Sequence, residues 1–397
     1  MTETATAADA APDALASVLA DAPFVRLVAT DDGDALAAAG LIARALRCVG
    51  TPFQVRVTRD PASESAERDA ESAERDDTVV TIGTTSGPHA IPGSARPAST
   101  TAFALARELG DEPDPVLTLA GVVAAGSVPG TDGSGDALSA AEDAELVRRR
   151  PGVAVPTADL ADGLAASTLV RTPYSGDPEA SRAAVAELDL PEALDDDAHR
   201  RLASLVAVDA VAAESASARA ASAVERALRP YAVDSTDASA TPFATVGGYA
   251  DVFDALAREV PGTGIALALA DDPSGDLRTA ALDVWRDHGL AAHRTLDGAT
   301  TGRYDGCVVA RVDATSATLP TIARLVRDFR SPEPVAVAVD EASGELAVSA
   351  VESVDVGSVC RDVAAEFGGD GWGDETHGGI DVNDDTTEAL AALREAL

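Results

Sequence analysis

Short apolar runs alternate with a segment of helical periodicity in the first part of the chain. The run at 24–29 (FVRLVA) predicts a buried strand, and the apolar spacing over 34–48 (DALAAAGLIARALRC) predicts a helix. The alternating run at 53–58 and the apolar run at 78–83 predict two further strands. The order strand, helix, strand, loop, strand is typical of a parallel α/β sheet.

The centre of the chain has mainly helical periodicity, and it contains a long alanine-rich stretch at 197–228. Three arginines at 148–150 precede Pro151, and this order predicts a helix that ends in a basic cluster. The stretch 229–243 is rich in Pro, Ser, Thr and Asp, so it predicts a linker or crossing loop. His199, His288 and His293 are expected on polar helix faces or strand ends.

An α/β pattern returns after residue 243. The apolar run 264–270 (GIALALA) predicts a buried strand, and 304–312 predicts another. Segment 334–351 predicts a hairpin with a glycine-containing turn. The glycine-rich segment 368–379 (GGDGWGDETHGG) predicts a loop.

Composition changes the interpretation of the surface. The chain has 397 residues with 67 acidic and 30 basic side chains, a net charge of −37, and every one of the basic side chains is arginine. Such acidity is typical of a halophile, because carboxylates keep a protein hydrated in concentrated salt. It weakens an interpretation based on nucleic-acid binding, because phosphate contacts need a basic surface.

Targeting and repeat signals are few. No run of 18 apolar residues predicts a membrane span, and the first residues lack the pattern of a secretory signal, so we expect a cytoplasmic protein. Residues 64–70 (ESAERDA) and 71–77 (ESAERDD) form a tandem duplication without an apolar face. We interpret the duplication as a solvated insertion rather than an interaction helix.

Several segments together resemble one family. Residues 27–46 (LVATDDGDALAAAGLIARAL) resemble the first motif of the DHH phosphoesterases, the superfamily of the RecJ exonucleases, in which H-x-D-x-D-G follows a strand. Asp32 and Asp34 take the two aspartate positions of that motif. Segments 166–180 and 247–269 are similar to the archaeal RecJ-type branch.

The resemblance implies a division of the chain. It implies a tail at 1–22, a parallel-sheet DHH-type domain at 23–230 and a smaller α/β DHH-associated substrate domain at 243–397. The glycine-rich segment near the carboxyl end resembles the G-G-G-H loop of that second domain.

The resemblance also implies a two-cation site for Mn²⁺ or Mg²⁺, with Asp and His ligands from four motifs. Thr30 stands at the histidine position of the first motif, Thr81 at the aspartate of the second, and Ala125 at the aspartate of the fourth. The segment between residues 84 and 99 contains no Asp-His-His. Asp32 and Asp34 therefore remain as a vestigial metal site, and we expect no cofactor.

The substrate loop departs from the family pattern as well. In the alignment with G-G-G-H, Trp372 replaces a glycine and Asp374 replaces the histidine, while His377 lies three positions further on. Val351 stands where the family has a phosphate-binding arginine. The vestigial substrate-loop residues are Gly371, Trp372, Gly373, Asp374, His377, Gly378 and Gly379.

The resemblance implies a function without catalysis. Degenerate relatives of RecJ serve as subunits of the replicative helicase, bound to GINS and the MCM ring, so we expect a structural subunit in DNA replication or repair. Contact with single-stranded nucleic acid is a weaker expectation, and no membrane partner is expected. The alternative is a metal-dependent exonuclease on single-stranded DNA or RNA, or a small phosphodiesterase. Four or more Asp and His side chains that converge on Asp32 and Asp34 would favour that alternative.

Overall fold

The computed structural model describes residues 12–64, 77–191, 193–213, 216–234, 243–270, 275–383 and 386–397. Two compact units make up the chain. The first contains Met1–Val147, Val233–Pro242 and Val252–Ala281, and the second contains Arg148–Ala232, Phe243–Asp251 and Leu282–Leu397. The two units interleave along the chain. The sequence instead predicts a sequential division into 23–230 and 243–397, and that division stays a prediction.

The strands are β1 (Val25–Ala29), β2 (Phe53–Val57), β3 (Thr78–Ile82), β4 (Ala90–Ile91), β5 (Val147–Arg149), β6 (Tyr231–Val233), β7 (Thr300–Tyr304), β8 (Cys307–Arg311), β9 (Val335–Asp340), β10 (Glu345–Ala350), β11 (Asp370–Gly373) and β12 (His377–Asp381). The helices are α1 (Pro12–Asp21), α2 (Gly33–Val49), α3 (Ala98–Glu108), α4 (Pro115–Ala124), α5 (Gly135–Asp143), α6 (Leu160–Ala166), α7 (Pro178–Ala186), α8 (Asp196–Ala212), α9 (Ala220–Ala227), α10 (Val246–Glu259), α11 (Pro261–Leu269), α12 (Gly275–Gly298), α13 (Leu319–Leu325), α14 (Val356–Glu366) and α15 (Thr386–Ala396). A π-helical turn at Val326–Arg330 follows α13. Within the described ranges, no helix is long and apolar enough to cross a membrane.

The first unit contains a parallel sheet in the order β2-β1-β3-β4. Strand β1 lies between two partners, and Val25 is level with Phe53 on one side and Thr78 on the other. The buried face of α2 is rich in alanine and lets neighbouring helices approach closely. A Cβ atom at Gly40 would lie 2.4 Å from Ala268 Cβ. The parallel sheet predicted from the apolar runs is therefore confirmed.

The second unit contains a six-stranded sheet in the order β11-β12-β10-β9-β8-β7. Strands β8 and β9 are parallel, and the other neighbours are antiparallel. Alternate residues of β9 face two different cores. Val337 packs in a cluster with residues of α14 and α15, whereas Ala336 packs in a cluster with residues of α12 and α13. The predicted hairpin at 334–351 is confirmed as β9 and β10.

The apolar run 264–270 is mostly helical, so the strand predicted there is wrong. It belongs to α11, which begins at Pro261. A short continuous apolar run fits a buried strand or a buried helix equally well, since it carries no period. The alternating Ala and Leu side chains favour helix, and proline is well tolerated at a first helical position.

The glycine-rich segment is also not the predicted loop, because Asp370–Gly373 and His377–Asp381 pair as a β-hairpin. The glycines permit close approach rather than irregular structure. A Cβ atom at Gly371 would lie 2.4 Å from the Cys360 carbonyl oxygen, and one at Gly378 would lie 3.1 Å from Cys360 Sγ. The hairpin thus lies directly against the backbone of α14.

One smaller expectation differs from the structure. Arg148 and Arg149 belong to strand β5 rather than to a helix end, because α5 already stops at Asp143. The helical stretch 197–228 contains two helices, α8 and α9, and the segment 1–22 contains α1. Residues 65–76, which hold most of the tandem duplication, lie outside the described residues.

Candidate functional site

The carboxyl ends of β1 and β3 meet at one edge of the parallel sheet. Thr30 and Gly83 follow these strands directly, and the Thr30 amide donates to the Ile82 carbonyl at 3.0 Å. Asp31, Asp32 and the start of α2 come next along the chain. In an open parallel sheet this is the edge at which ligands bind. The sequence-predicted pair Asp32 and Asp34 therefore lies after the carboxyl end of the first strand, as expected.

Asp32 caps its own helix. Its Oδ1 accepts a hydrogen bond from the Ala35 amide at 2.8 Å, and its Oδ2 accepts from the Thr30 hydroxyl. An aspartate before the first helical residue satisfies a backbone donor that has no partner within the helix. Threonine at the family's histidine position thus serves the cap, because it donates to the same carboxylate.

Asp34 caps a different helix, and this is the central feature of the site. The side chain is 4% exposed. Its Oδ2 accepts from the Ala98 amide at 2.6 Å and its Oδ1 from the Ser99 amide at 3.0 Å, at the start of α3. Pro97, which precedes α3, has no side-chain acceptor of its own. Both oxygens of Asp34 are therefore committed to backbone donors.

The space around Asp34 is shaped by a small residue. A Cβ atom at Gly121 of α4 would lie 2.9 Å from Asp34 Oδ1 and 2.5 Å from Ser99 Oγ. Any larger side chain at this position would press against the carboxylate. The glycine therefore keeps Asp34 in contact with the end of α3.

An arginine from α10 supplies positive charge beside these carboxylates. Arg258 Nη1 lies 2.5 Å from Asp254 Oδ2 one helical turn away, and Asp254 Oδ1 accepts from the Gly33 amide at 3.2 Å. Arg59 Nε lies 3.8 Å from Asp31 Oδ2. Asp254 thus links α10 to the first turn of α2, and Arg258 balances part of the negative charge.

Burial has the largest effect on the pKa values of the three aspartates Asp31, Asp32 and Asp34. Burial raises the pKa of Asp31 and Asp32, and the charge of Arg258 offsets part of that rise in both. Although burial disfavours its charged form, the carboxylates of Asp254, Asp31 and Asp32 raise the pKa of Arg258. Burial and the neighbouring charge of Asp32 together raise the pKa of Asp34 to about 7.

The positions of the second and fourth motifs bring no further ligand to this edge. Thr81 lies inside β3, and its hydroxyl donates to the Ser86 carbonyl at 2.6 Å. Gly83 is the residue level with Thr30, where a Cβ atom would lie 2.0 Å from Thr30 Oγ1. The carboxyl end of α4 brings Ala124 close to Gly33, and Ala125 follows as the last cap residue.

These residues do not fit the Mn²⁺ or Mg²⁺ pair that the family resemblance implies. Within the ranges that the structure describes, no group of three or more His, Cys, Asp or Glu side chains is arranged to hold a metal ion. Asp32 and Asp34 both accept from backbone amides, and a guanidinium lies beside Asp254. Two-cation chemistry needs carboxylates that are free to bridge the cations.

The substrate-loop residues lie in the second unit, on β11, β12 and the turn between them. Asp374 Oδ1 accepts from the amides of Thr376 and His377, both at 2.7 Å, so its carboxylate closes the turn. The Trp372 ring covers Gly379 on the neighbouring strand, where a Cβ atom would lie 2.7 Å from Cζ2. The indole therefore packs on its own hairpin.

Sequence reasoning missed a cluster beside this hairpin. Arg327 Nη1 donates to Ser349 Oγ at 3.0 Å and lies 3.2 Å from His377 Nε2. Val351, at the family's arginine position, is largely exposed. Arg327 lies in the π-helical turn that directly follows α13. The sequence carried no signal for that turn.

Sequence reasoning also missed Asp254 and Arg258. The only local signal was an Asp and an Arg four residues apart, a spacing that is common on solvated helix faces. The contact of Asp254 with the first turn of α2 depends on tertiary packing. No periodicity in the sequence reports such a contact.

Comparison with solved structures identifies the fold. The chain has a RecJ-like fold. CDC45 from Entamoeba histolytica has a similar structure, with a TM-score of 0.61 at 9% identity over 97% of this chain and 98% of that one. Exonuclease RecJ bound to manganese gives 0.50 at 14% identity, over 97% and 94% of the two chains. RecJ from Thermus thermophilus in complex with Mn²⁺ gives 0.53 at 15% identity, over 97% of this chain and 54% of that one.

Sequence comparison then identifies the family. The chain is 47% identical to the uncharacterized protein rrnAC1427 of Haloarcula marismortui over 392 residues, which cover 97% of this chain and 96% of the relative. The family model for the C-terminal domain of rrnAC1427 matches residues 299–395. The chain belongs to the rrnAC1427 family.

The cap by Asp34 predicts a stability loss. We expect Asp34→Ala to lower the free energy of unfolding by about 1–3 kcal/mol, because two buried amides of α3 lose their acceptor. The measurement is thermal unfolding followed by circular dichroism at the native salt concentration. Asp143→Ala, at an exposed aspartate ending α5, is the control and should change stability by less than about 0.5 kcal/mol. Equal losses in the two variants would contradict the cap.

The raised pKa of Asp34 predicts a pH dependence with a definite sign. The pKa is about 7 in the folded protein against an ordinary value of 3.8, so the folded state binds the proton more tightly. The stability contributed by Asp34 is then fully present below the lower value and falls as pH rises towards the upper one. The difference in stability between wild type and Asp34→Asn should follow this fall and become constant at higher pH. If this difference in stability rose with pH instead, the pKa of Asp34 would be lowered in the folded protein and the prediction would be wrong.

Proposed function

We propose that the chain is a non-catalytic RecJ-like protein that acts as a structural subunit in DNA replication or repair in the cytoplasm of a halophilic cell. One observation carries the proposal. The carboxylate of Asp34, which the family resemblance assigns to a cation, accepts from two amides of α3 instead. A cation bound there would compete with these two amides for the carboxylate oxygens.

The charge balance supports the same conclusion. Arg258 contributes a fixed positive charge next to Asp254 and within the field of Asp31 and Asp32. A divalent cation would have to displace this guanidinium or share the carboxylates with it. Removing one partner of a buried charge pair is strongly destabilising. The arginine therefore balances part of the negative charge that a bound cation would otherwise balance.

The subunit role is supported by the length of the structural match. The similarity to CDC45 extends over nearly the whole of both chains. The family resemblance implies GINS and MCM proteins as partners of degenerate RecJ relatives. With a net charge of −37, the surface favours contacts with proteins over contacts with a phosphate backbone.

An active phosphodiesterase is the second candidate. It is favoured by one cluster in the second unit, where Arg327, Ser349 and His377 offer donors on the side of the substrate-loop hairpin. Such donors suit a phosphate oxygen. Catalysis would still need cations at the sheet edge, where Asp32 and Asp34 cap helices. We therefore place this candidate second.

Nuclease assays separate the two candidates. We expect no release of nucleotides from fluorescently labelled single-stranded DNA or RNA with Mn²⁺ or Mg²⁺ at native salt, because the carboxylates are committed to amides and to arginine. Wild type, Asp34→Ala and the surface control Asp143→Ala are compared from the same purification. Activity present in wild type and in the control but absent in Asp34→Ala would overturn the proposal. Equal activity in all three indicates a contaminant.

Recovery of partners from the native host tests the subunit role. An affinity-tagged chain, purified at native salt and analysed by mass spectrometry, should enrich GINS or MCM proteins over an untagged strain. The result should survive nuclease treatment of the lysate, because the expected contacts are between proteins. Recovery of no replication or repair protein would count against the role while leaving the absence of catalysis intact.

A further inference from the structure

A cavity of about 410 Å³ lies in the second unit, and its polar wall contains two arginines and one carboxylate. Arg171 follows α6, Asp297 lies in the last turn of α12, and Arg330 ends the π-helical turn. The volume is within the range of small-molecule sites. The described lining residues are Arg171, Thr172, Pro173, Ala210, Ala213, Ala216, Asp297, Phe329 and Arg330.

The two arginines share a single counterion. Arg330 Nη2 lies 2.8 Å from Asp297 Oδ1, and Arg171 Nη2 donates to the same oxygen. The side chain of Asp297 is 54% exposed, whereas those of Arg171 and Arg330 are 9% and 17% exposed. Burial lowers the pKa of both arginines, and the charge of Arg330 lowers that of Arg171 further. The described wall therefore carries one more positive than negative charge.

A buried histidine holds Arg171 in place without competing for an anion. His293 is fully buried rather than on the polar face expected from the sequence. Its Nε2 lies 2.9 Å from the Ser167 carbonyl, and its Nδ1 lies 3.0 Å from Arg171 Nη1. Burial and the charge of Arg171 lower the pKa of His293 to about 3. The neutral ring therefore donates to the carbonyl and accepts from the guanidinium.

Donors remain on the arginines after these bonds are made. A guanidinium has five N–H groups. Arg330 donates through Nη1 to the Leu296 carbonyl at 2.7 Å and through Nη2 to Asp297. Each terminal nitrogen of a guanidinium carries two N–H groups, so Nη1 and Nη2 of Arg171 and Arg330 keep donors beyond the bonds named above.

The rest of the lining is mainly apolar. Pro173, Phe329 and three alanines of α8 and the segment after it contribute carbon surface. An inorganic ion would leave this surface in contact with water only. A small organic body attached to the charged group would cover it, which adds hydrophobic stabilisation.

We propose that this cavity binds a small organic anion, with its phosphate or carboxylate group held between Arg171 and Arg330 and its carbon body against Pro173 and Phe329. Paired guanidiniums recognise both oxyanions through parallel N–H···O bonds. The site lies wholly within the second unit and does not depend on the state of Asp32 and Asp34.

Thermal unfolding with three matched probes tests the proposal. Glycerol 3-phosphate, glycerate and glycerol share a carbon frame and differ in the charged group. At constant ionic strength we expect a saturable rise of Tm with glycerol 3-phosphate, with glycerate or with both, and none with glycerol. The two charged probes distinguish phosphate from carboxylate. An equal rise with inorganic phosphate alone would reduce the site to a simple ion site and overturn the role of the apolar lining.

Variants connect the effect to the cavity. Arg330→Gln should weaken binding of the charged probe at least tenfold, because it removes one positive charge and the terminal Nη1 and Nη2 donors. Arg303→Gln, at an exposed arginine of β7 paired with Glu333, is the matched control and should bind as wild type does. Asp297→Asn should tighten binding severalfold, since both guanidiniums lose their shared carboxylate. This variant tests the site if Arg330→Gln does not fold. No rise with either charged probe, or identical binding in all variants, would overturn the proposal.

Discussion

The hydrogen bonds from the first amides of α3 to the Asp34 carboxylate determine most of what the site can do. They join the start of α2 to the start of α3 through a side chain that solvent hardly reaches. A buried helix end needs an acceptor, and Pro97 offers none from its own side chain. Because each oxygen of the carboxylate accepts one of these amides, a cation at Asp34 would compete with the cap of α3.

Charge at the sheet edge follows from the same constraint. Asp31, Asp32 and Asp254 approach the first turn of α2 together with Asp34, and burial disfavours several negative charges in one place. A metalloenzyme of this fold would offset that repulsion with its cations. Here the guanidinium of Arg258 contributes the positive charge and is covalently part of the chain. This positive charge therefore does not depend on a bound metal ion.

The sequence predicted those elements whose patterns are local. Strand β2 and helix α2 have a clear period, β1 and β3 are short apolar runs, and the parallel sheet follows from the order of these elements. The run that became α11 has no period, so its type depended on its neighbours. The glycines of β11 and β12 indicated a loop because their function, close approach to α14, is visible only in three dimensions. Arg258 was missed for the same reason.

The persistence of two aspartates in the first motif has a physical explanation that does not require catalysis. Asp32 caps α2 and Asp34 caps α3, so either position would lose stability on substitution even if no cation ever bound there. The histidine position has no such duty, and threonine there donates to Asp32 instead. The two aspartates that remain in this motif are therefore the residues that cap helices of the fold. Whether such an aspartate is a metal ligand or a helix cap depends on whether its carboxylate oxygens contact a cation or backbone amides.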